Sequence, residues 1–398
     1  MADTPPLTLF PFDTAPQLDG EPVHARLRAE GPVARVRLAD GTLVWVALSH
    51  DAVRTVLIDS RFSRAASAAA GSPTITPGID AQEGSVNLDP PEHTRHRRLV
   101  AGAFTARVLE GRRPRIQTIA DELLDAMAEH GPPADLVAAL AFPLPITVLC
   151  DLLGMPYEDV AAVSEWSEIT QSSGGHPYEE VARAFSELGT YLARLIAAKR
   201  RQPDEHLLTQ LIDARDRDDR LTEPELLGTA MGLILAGHET TANLMAVGLL
   251  TLLRHPDQVE LLRARPELVP GAVEEVLRYT RLLVSSFGRV ATADVDFGGV
   301  TIPAGDTVFA LHAAANRDER LHADPERFDV TRTGPPHVSF GLGPHLCLGA
   351  PLARIELQVG LGSLLRRFPG LELAVPESAL EWRVGNFIRG VHALPVRW

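Results

Sequence analysis

The stretch "SFGLGPHLCLGAPLARIEL", residues 339–357, sets one thiol, Cys347, among Gly341, Gly343, Pro344, His345 and Gly349, directly ahead of a strong helix pattern. It holds one of only two cysteines in 398 residues. A lone cysteine most often behaves as a small buried hydrophobe. That reading suits Cys150, which lies inside the apolar run "FPLPITVLCDLLG". Cys347 is set differently, because its glycines permit turns and close backbone approach that side chains block. A thiolate that ligates a metal while accepting backbone N–H hydrogen bonds needs a loop this tight, since its neighbours tune its donor strength.

Outward from this loop the chain reads as mainly α with small antiparallel β-sheets. Apolar periodicity predicts helices over 50–57, 92–104, 106–129, 144–153, 178–201, 204–215, 222–254, 256–265, 267–280 and 351–368. A β-rich region at about 31–48 is built around Asp40-Gly41, a strong hairpin signal between alternating apolar runs. Shorter strands are expected in "VDFGGVTIPAGDTVFAL" and in the terminal "VHALPVRW". The longest helix starts at "TEPE", where Thr222 caps, Pro224 falls in the first turn and Glu225 lies three residues on. It should run to His255-Pro256, where proline forbids continuation. Segments 63–91 and 172–177 are rich in Gly, Ser and Pro and read as linkers or site-covering lids. With no repeat and no linker between self-sufficient cores, residues 1–398 are expected to form one large domain with a helical core at about 92–280.

The bulk numbers exclude several classes. A hydrophobic fraction of 45% supports a sizeable core. The formal charge of −14 argues against nonspecific nucleic-acid binding. Two distant cysteines give no disulfide framework and suit a reducing, cytoplasmic setting. The start, "MADTPPLTLFPFDT", lacks the pattern of a signal peptide. The run 226–253 is long enough for a membrane, which takes about 20 apolar residues. Its centre, however, carries His238, Glu239, Thr240, Thr241 and Asn243, a costly cluster in lipid, so a buried central helix and no membrane partner are expected.

"FGLGPHLCLG", residues 340–349, resembles the haem-ligand loop of the cytochrome P-450 family, F-G-x-G-x-H-x-C-x-G, at every fixed position. The resemblance implies the cytochrome P-450 fold and haem b, with Cys347 as axial iron ligand, Phe340, Gly341 and Gly349 shaping the loop and His345 on a haem propionate. "AGHETT", residues 236–241, resembles the family's A/G-G-x-D/E-T-T/S motif. By itself it reads equally as a small-residue packing patch with a hydroxyl bonded back to the carbonyl four residues earlier. The resemblance implies that Ala236 and Gly237 leave room for O₂ and that Glu239 and Thr240 pass protons. Glu275 and Arg278, three apart on one helix face, mean little alone. Followed by "HADPERFDV" they resemble the family's E-x-x-R and P-E-R-F network, which implies a buried structural set of Glu275, Arg278 and Arg327. "DPPEHTRHRRLV" and "FGRVATADV" match the positions that imply His93, Arg97 and Arg289 as further propionate partners.

The activity implied is that of a short bacterial haem-thiolate monooxygenase, drawing NAD(P)H-derived electrons through a separate ferredoxin and ferredoxin reductase. Arg95, Arg98 and Arg354 are expected on the docking side, and a monomer is expected. Leu233, Ile234, Val284, Phe287, Phe387 and Ile388 match positions that commonly line the family pocket, implying an apolar small molecule such as a natural-product intermediate. An oxidative coupling enzyme would keep all these motifs. A peroxide-driven peroxygenase would not need the acid–alcohol pair, and a haem sensor would lack both that pair and a lidded pocket. One departure stands out: Arg281 replaces a proline that members often carry, leaving the path of 282–287 open.

Overall fold

Residues 7–12, 21–69, 71–75, 85–171, 176–216, 221–383 and 387–398 are described by a computed structural model. The expected loops at 63–91 and 172–177 therefore fall partly outside the described residues.

The helix Glu223–Leu253 organises the molecule. Thr222 and Glu225 form a complete reciprocal cap, the side chain of each bonding the other's backbone N–H, which fixes the start where the sequence placed it. At 31 residues it is about 47 Å long. Its most apolar window is 78% buried inside the protein, so the apolarity serves a core. Helices Arg113–His130, Pro143–Leu153 and Ala350–Arg367 contribute to that same core.

Two helix readings change. The run expected as 106–129 breaks into Ala106–Glu110 and Arg113–His130, because Gly111 and Arg112 interrupt it and Pro114 suits a new first turn. Val160–Gln171 is a helix that periodicity missed, since among its residues only Val163 and Ser167 are buried.

The Asp40-Gly41 hairpin pairs Val33–Arg37 with Leu43–Ala47, in the register Arg35 opposite Trp45. These strands belong to a five-stranded sheet completed by Thr307–Ala310, Arg289–Ala291 and Phe62–Ser63. One ladder, Leu43–Ala47 with Thr307–Ala310, is parallel, which the long connection between them permits. The sheet sets Arg289 near His345 of the Cys347 loop. Smaller antiparallel sheets join Ala134–Asp135, Pro395–Arg397 and Glu372–Leu373, and Val295–Asp296 with Thr301–Ile302.

Candidate active site

The Cys347 loop is shaped by its own backbone. Gly341 and Gly343 sit at φ +72° and +71°, the left-handed region that favours glycine. A side chain at Gly343 would also come within 2.9 Å of Ile58 Cγ2. Cys347 N–H donates to the Phe340 carbonyl at 2.8 Å, closing the loop. The sulfur accepts from the backbone N–H groups of Gly349 and Ala350, the start of the helix Ala350–Arg367. Cys347 is exposed, yet burial is the main influence holding its thiol above the ordinary range; those N–H groups, Arg97 and Arg354 oppose it. A group both accessible and deeply set is one that lines a concave site. Phe340 lies beneath the Arg354 guanidinium, 4.7 Å from the ring centre, and Arg354 is itself held by both oxygens of Glu274.

A cluster of basic groups adjoins the loop. The rings of His93 and His345 are 4.2 Å apart, and Arg97 donates to the Leu346 carbonyl. Arg289 donates to the Phe62 carbonyl at 3.2 Å. Burial, reinforced by Arg64, pushes the Arg289 guanidinium down to about 10. Burial, with Arg289 and His93 beside it, pushes the His345 imidazole down to about 3. His93 is likewise lowered, by burial first and then Arg97. The acid acting on this group is Asp89, already engaged by Ser63 Oγ and the Arg64 N–H. His93 Nδ1 and His345 Nε2 are buried without a partner. Excess positive charge with orphaned polar atoms fits a ligand bearing carboxylates, and the adjacent sulfur fits a soft metal ion. Haem has both features, so the four motif-derived residues His93, Arg97, Arg289 and His345 fit its two propionates.

The central helix presents different faces. Leu233, Ala236 and Thr240 share one face, and Ala236 is exposed although it lies mid-helix. Thr240 Oγ1 donates to the Ala236 carbonyl at 2.7 Å. Gly237, four residues after Leu233, lies at the edge of this face. A Cβ there would lie 2.9 Å from Leu149 Cδ1, so Gly237 admits the neighbouring helix Pro143–Leu153 instead of making room for O₂. Ile234 is fully buried in the core, since one residue's step turns it about 100° from Leu233. Glu239 is 2% exposed, with one oxygen 3.4 Å from Arg383 Nη1 and the other unpartnered. Burial pushes its carboxyl up to about 7; Arg383 pulls it down and Glu168 adds to the rise. Arg383 and Glu168 also line a groove of about 510 Å³, together with Phe142, Thr147 and His392. No motif pointed to Arg383.

Two of the residues expected to line a substrate pocket pack together. Phe287 and Phe387 stack, with ring centres 5.4 Å apart and planes 15° from parallel. Arg281 forms a buried ion pair with Glu21 at 3.1 Å. Residues 282–287 then run as a ladder: Arg389 N–H donates to Leu282 O, Val284 N–H to Phe387 O and Ser286 N–H to Ala310 O. Leu283 bridges Ile388.

The structural network differs in one member. Glu275 binds Arg278 through both oxygens, at 2.7 and 2.9 Å. The third member is Arg332, 3.1 Å from Glu275 Oε1, and not Arg327. Arg327 contributes its carbonyl to Arg278 and Arg332 while its side chain is 68% exposed, because the turn after Asp324 points it outward. Of the arginines expected to dock a partner, Arg95 and Arg98 are exposed, Arg95 pairing with Glu225, whereas Arg354 is half-buried against Glu274.

Comparison with known proteins agrees with this geometry. The family model for cytochrome P450 matches residues 160–381. The chain is 47% identical over 391 residues to nocardicin C N-oxygenase of Nocardia uniformis subsp. tsuyamanensis, covering 98% of each. It is 44% identical over 390 residues to mycinamicin IV hydroxylase/epoxidase of Micromonospora griseorubida, again covering 98% of each. The crystal structure of the LnmA cytochrome P450 hydroxylase from the leinamycin pathway of Streptomyces atroolivaceus superposes with a TM-score of 0.92 at 44% identity, covering 98% of this chain and 100% of that one. With a sulfur set in a basic, concave site and near-complete coverage by such relatives, this chain belongs to the cytochrome P450 family and is an oxidoreductase of its haem-thiolate monooxygenase class.

Proposed function

We propose that this enzyme oxygenates an apolar natural-product intermediate, using haem b and electrons delivered by a separate ferredoxin and ferredoxin reductase. The observation that carries the reading is Cys347, an accessible sulfur held by two backbone N–H groups beside histidines with orphaned ring nitrogens. When bound, haem supplies dioxygen activation, and a thiolate ligand favours O–O cleavage. Arg97 and Arg289 neutralise its carboxylates, and His93 and His345 hydrogen-bond to them. Glu239 populates both protonation states near neutrality, which suits a carrier of protons. It takes them from the groove side, where Arg383 and Glu168 lie, and gives them toward Thr240. The Thr240 hydroxyl must turn away from the Ala236 carbonyl to donate into the site.

The substrate class rests on the apolar Phe287–Phe387 stack and on relatives named for nocardicin C and mycinamicin IV. The test is a screen of such compounds on purified protein by the haem spin-state change. It is followed by turnover with a surrogate ferredoxin, its reductase, NADPH and ¹⁸O₂. A product heavier by one labelled oxygen is expected; a dimer lighter by two hydrogens would overturn oxygenation in favour of coupling.

Glu239→Gln carries a second expectation. The wild-type carboxyl has a folded-state pKa of about 7 against 4.5 unfolded. Between those pH values the folded chain binds more protons, so this group's contribution is intact below about pH 4.5 and is lost as pH rises through 7. At about 1.4 kcal/mol per unit, the glutamine variant gains roughly 3 kcal/mol relative to wild type at pH 8 and nothing near pH 4. Product formation falls about 100-fold while NADPH is still consumed. Wild-type coupling of NADPH to product in this variant removes Glu239 from the relay.

A further inference from the structure

His312 belongs to none of the motifs, yet it faces the same basic cluster. It opens the short helix His312–Ala315, directly after the strand Thr307–Ala310. Across that sheet Arg289 is paired with Val308. Paired residues share a face and side chains alternate along a strand, so Val308, Ala310 and His312 continue the face that carries Arg289. The chain is still extended at Leu311, with φ −94° and ψ 92°. Arg289 and His337 are the charges acting on the His312 ring. The imidazole thus lies near both Arg289 and His337, the histidine that packs 5.9 Å from Phe340.

Both ring nitrogens of His312 are inaccessible, and neither has a partner among the described residues. An imidazole always presents at least one N–H, and a buried donor without an acceptor is costly. Its neighbours offer no acceptor. Arg289 only donates, and the His337 ring is spent on Glu274 through Nε2 and on the Ser339 N–H through Nδ1. An acceptor from outside the protein would satisfy the ring, and Arg289 beside it favours an anionic one.

We propose that His312 donates a ring N–H to a haem carboxylate beside Arg289 and His345. The proposal rests on the haem-thiolate reading above. Two carboxylates offer four oxygens, each able to accept more than one hydrogen bond, so the four motif-derived side chains leave room for this donor. His312 is then a positioning residue for the cofactor, acting on its retention and, through carboxylate charge, on its reduction potential.

The test compares the wild-type holoenzyme with His312→Leu, His312→Phe and His312→Gln. The measurements are haem transfer to excess apomyoglobin, the midpoint potential and the resonance-Raman propionate bending band. Leucine is expected to speed haem loss about tenfold, lower the potential and shift the band, while glutamine, which keeps a donor, stays within about twofold of wild type. Phenylalanine keeps a ring without nitrogens and gives the same readouts should the leucine variant not fold. Wild-type haem loss with an unshifted band in the apolar variants overturns the role of His312 and leaves the haem reading standing. A wild-type protein without a thiolate-type spectrum in its reduced CO complex overturns the haem reading itself.

Discussion

Cys347→Ser is expected to abolish the thiolate-type spectrum of the reduced CO complex and to lower oxygenation by about 10³-fold or more, about 4 kcal/mol in barrier. The loop itself should survive, because its shape comes from backbone features: the positive φ of Gly341 and Gly343 and the bond from Cys347 N–H to Phe340 O. What is lost is the sulfur. A serine hydroxyl at the same place meets the Gly349 and Ala350 N–H groups but does not ionise as a thiol does, so the electron donation that favours O–O cleavage disappears. Cys150 is the internal control. Burial pushes its thiol up to about 12 within the helix Pro143–Leu153, so Cys150→Ala is expected to leave the spectrum unchanged. A Cys347→Ser protein with the wild-type spectrum would mean that another residue ligates the iron.

Some of this molecule was legible in its sequence because the signals were local. The Asp40-Gly41 turn, the Thr222 cap and the Cys347 loop are each decided within a dozen residues, and each appears where expected. Features that depend on what another element places opposite were not legible. Gly237 read as space for O₂, but the side chain filling its missing Cβ is Leu149, from a helix about 90 residues away. Ile234 and Leu233 are adjacent in sequence, and only the helix's rotation relative to the core separates them. Arg383 reaches Glu239 from a C-terminal hairpin, and no spacing rule links positions 144 apart. The helix Val160–Gln171 escaped because a helix resting on Val163 and Ser167 carries no apolar stripe. His312 escaped because its significance lies in partners it lacks, which only packing reveals.

The same distinction between local motif and tertiary partner sets the expected result for the charged network. Glu275→Gln is expected to cost about 3–5 kcal/mol, because it leaves the buried Arg278 and the partly buried Arg332 without their carboxylate. For a chain of 398 residues that is roughly 4–6 °C in Tm. Glu275 Oε1 accepts from Arg278 Nη2, from Arg332 Nε and from the Asp329 N–H, while Oε2 accepts from Arg278 Nε. Arg278 in turn bonds the carbonyls of Asn316, Pro325 and Arg327. Asn316 holds the Val338 N–H and the Ser339 hydroxyl, and Ser339 donates to the Leu277 carbonyl. The chain of contacts therefore ends at Ser339, directly before the Cys347 loop. Damage at Glu275 should appear there as partial conversion of the thiolate-type CO spectrum to the form with protonated sulfur, as well as in Tm. Arg332→Ala should reproduce both effects. Arg327→Ala, which removes an exposed side chain and keeps the carbonyl, should move Tm by less than about 1 °C and leave the spectrum intact. If Arg327→Ala were as damaging as Glu275→Gln, the guanidinium named by the motif would belong in the network after all. The expected asymmetry follows from burial: a charge in water can lose its partner at little cost, and a buried one cannot.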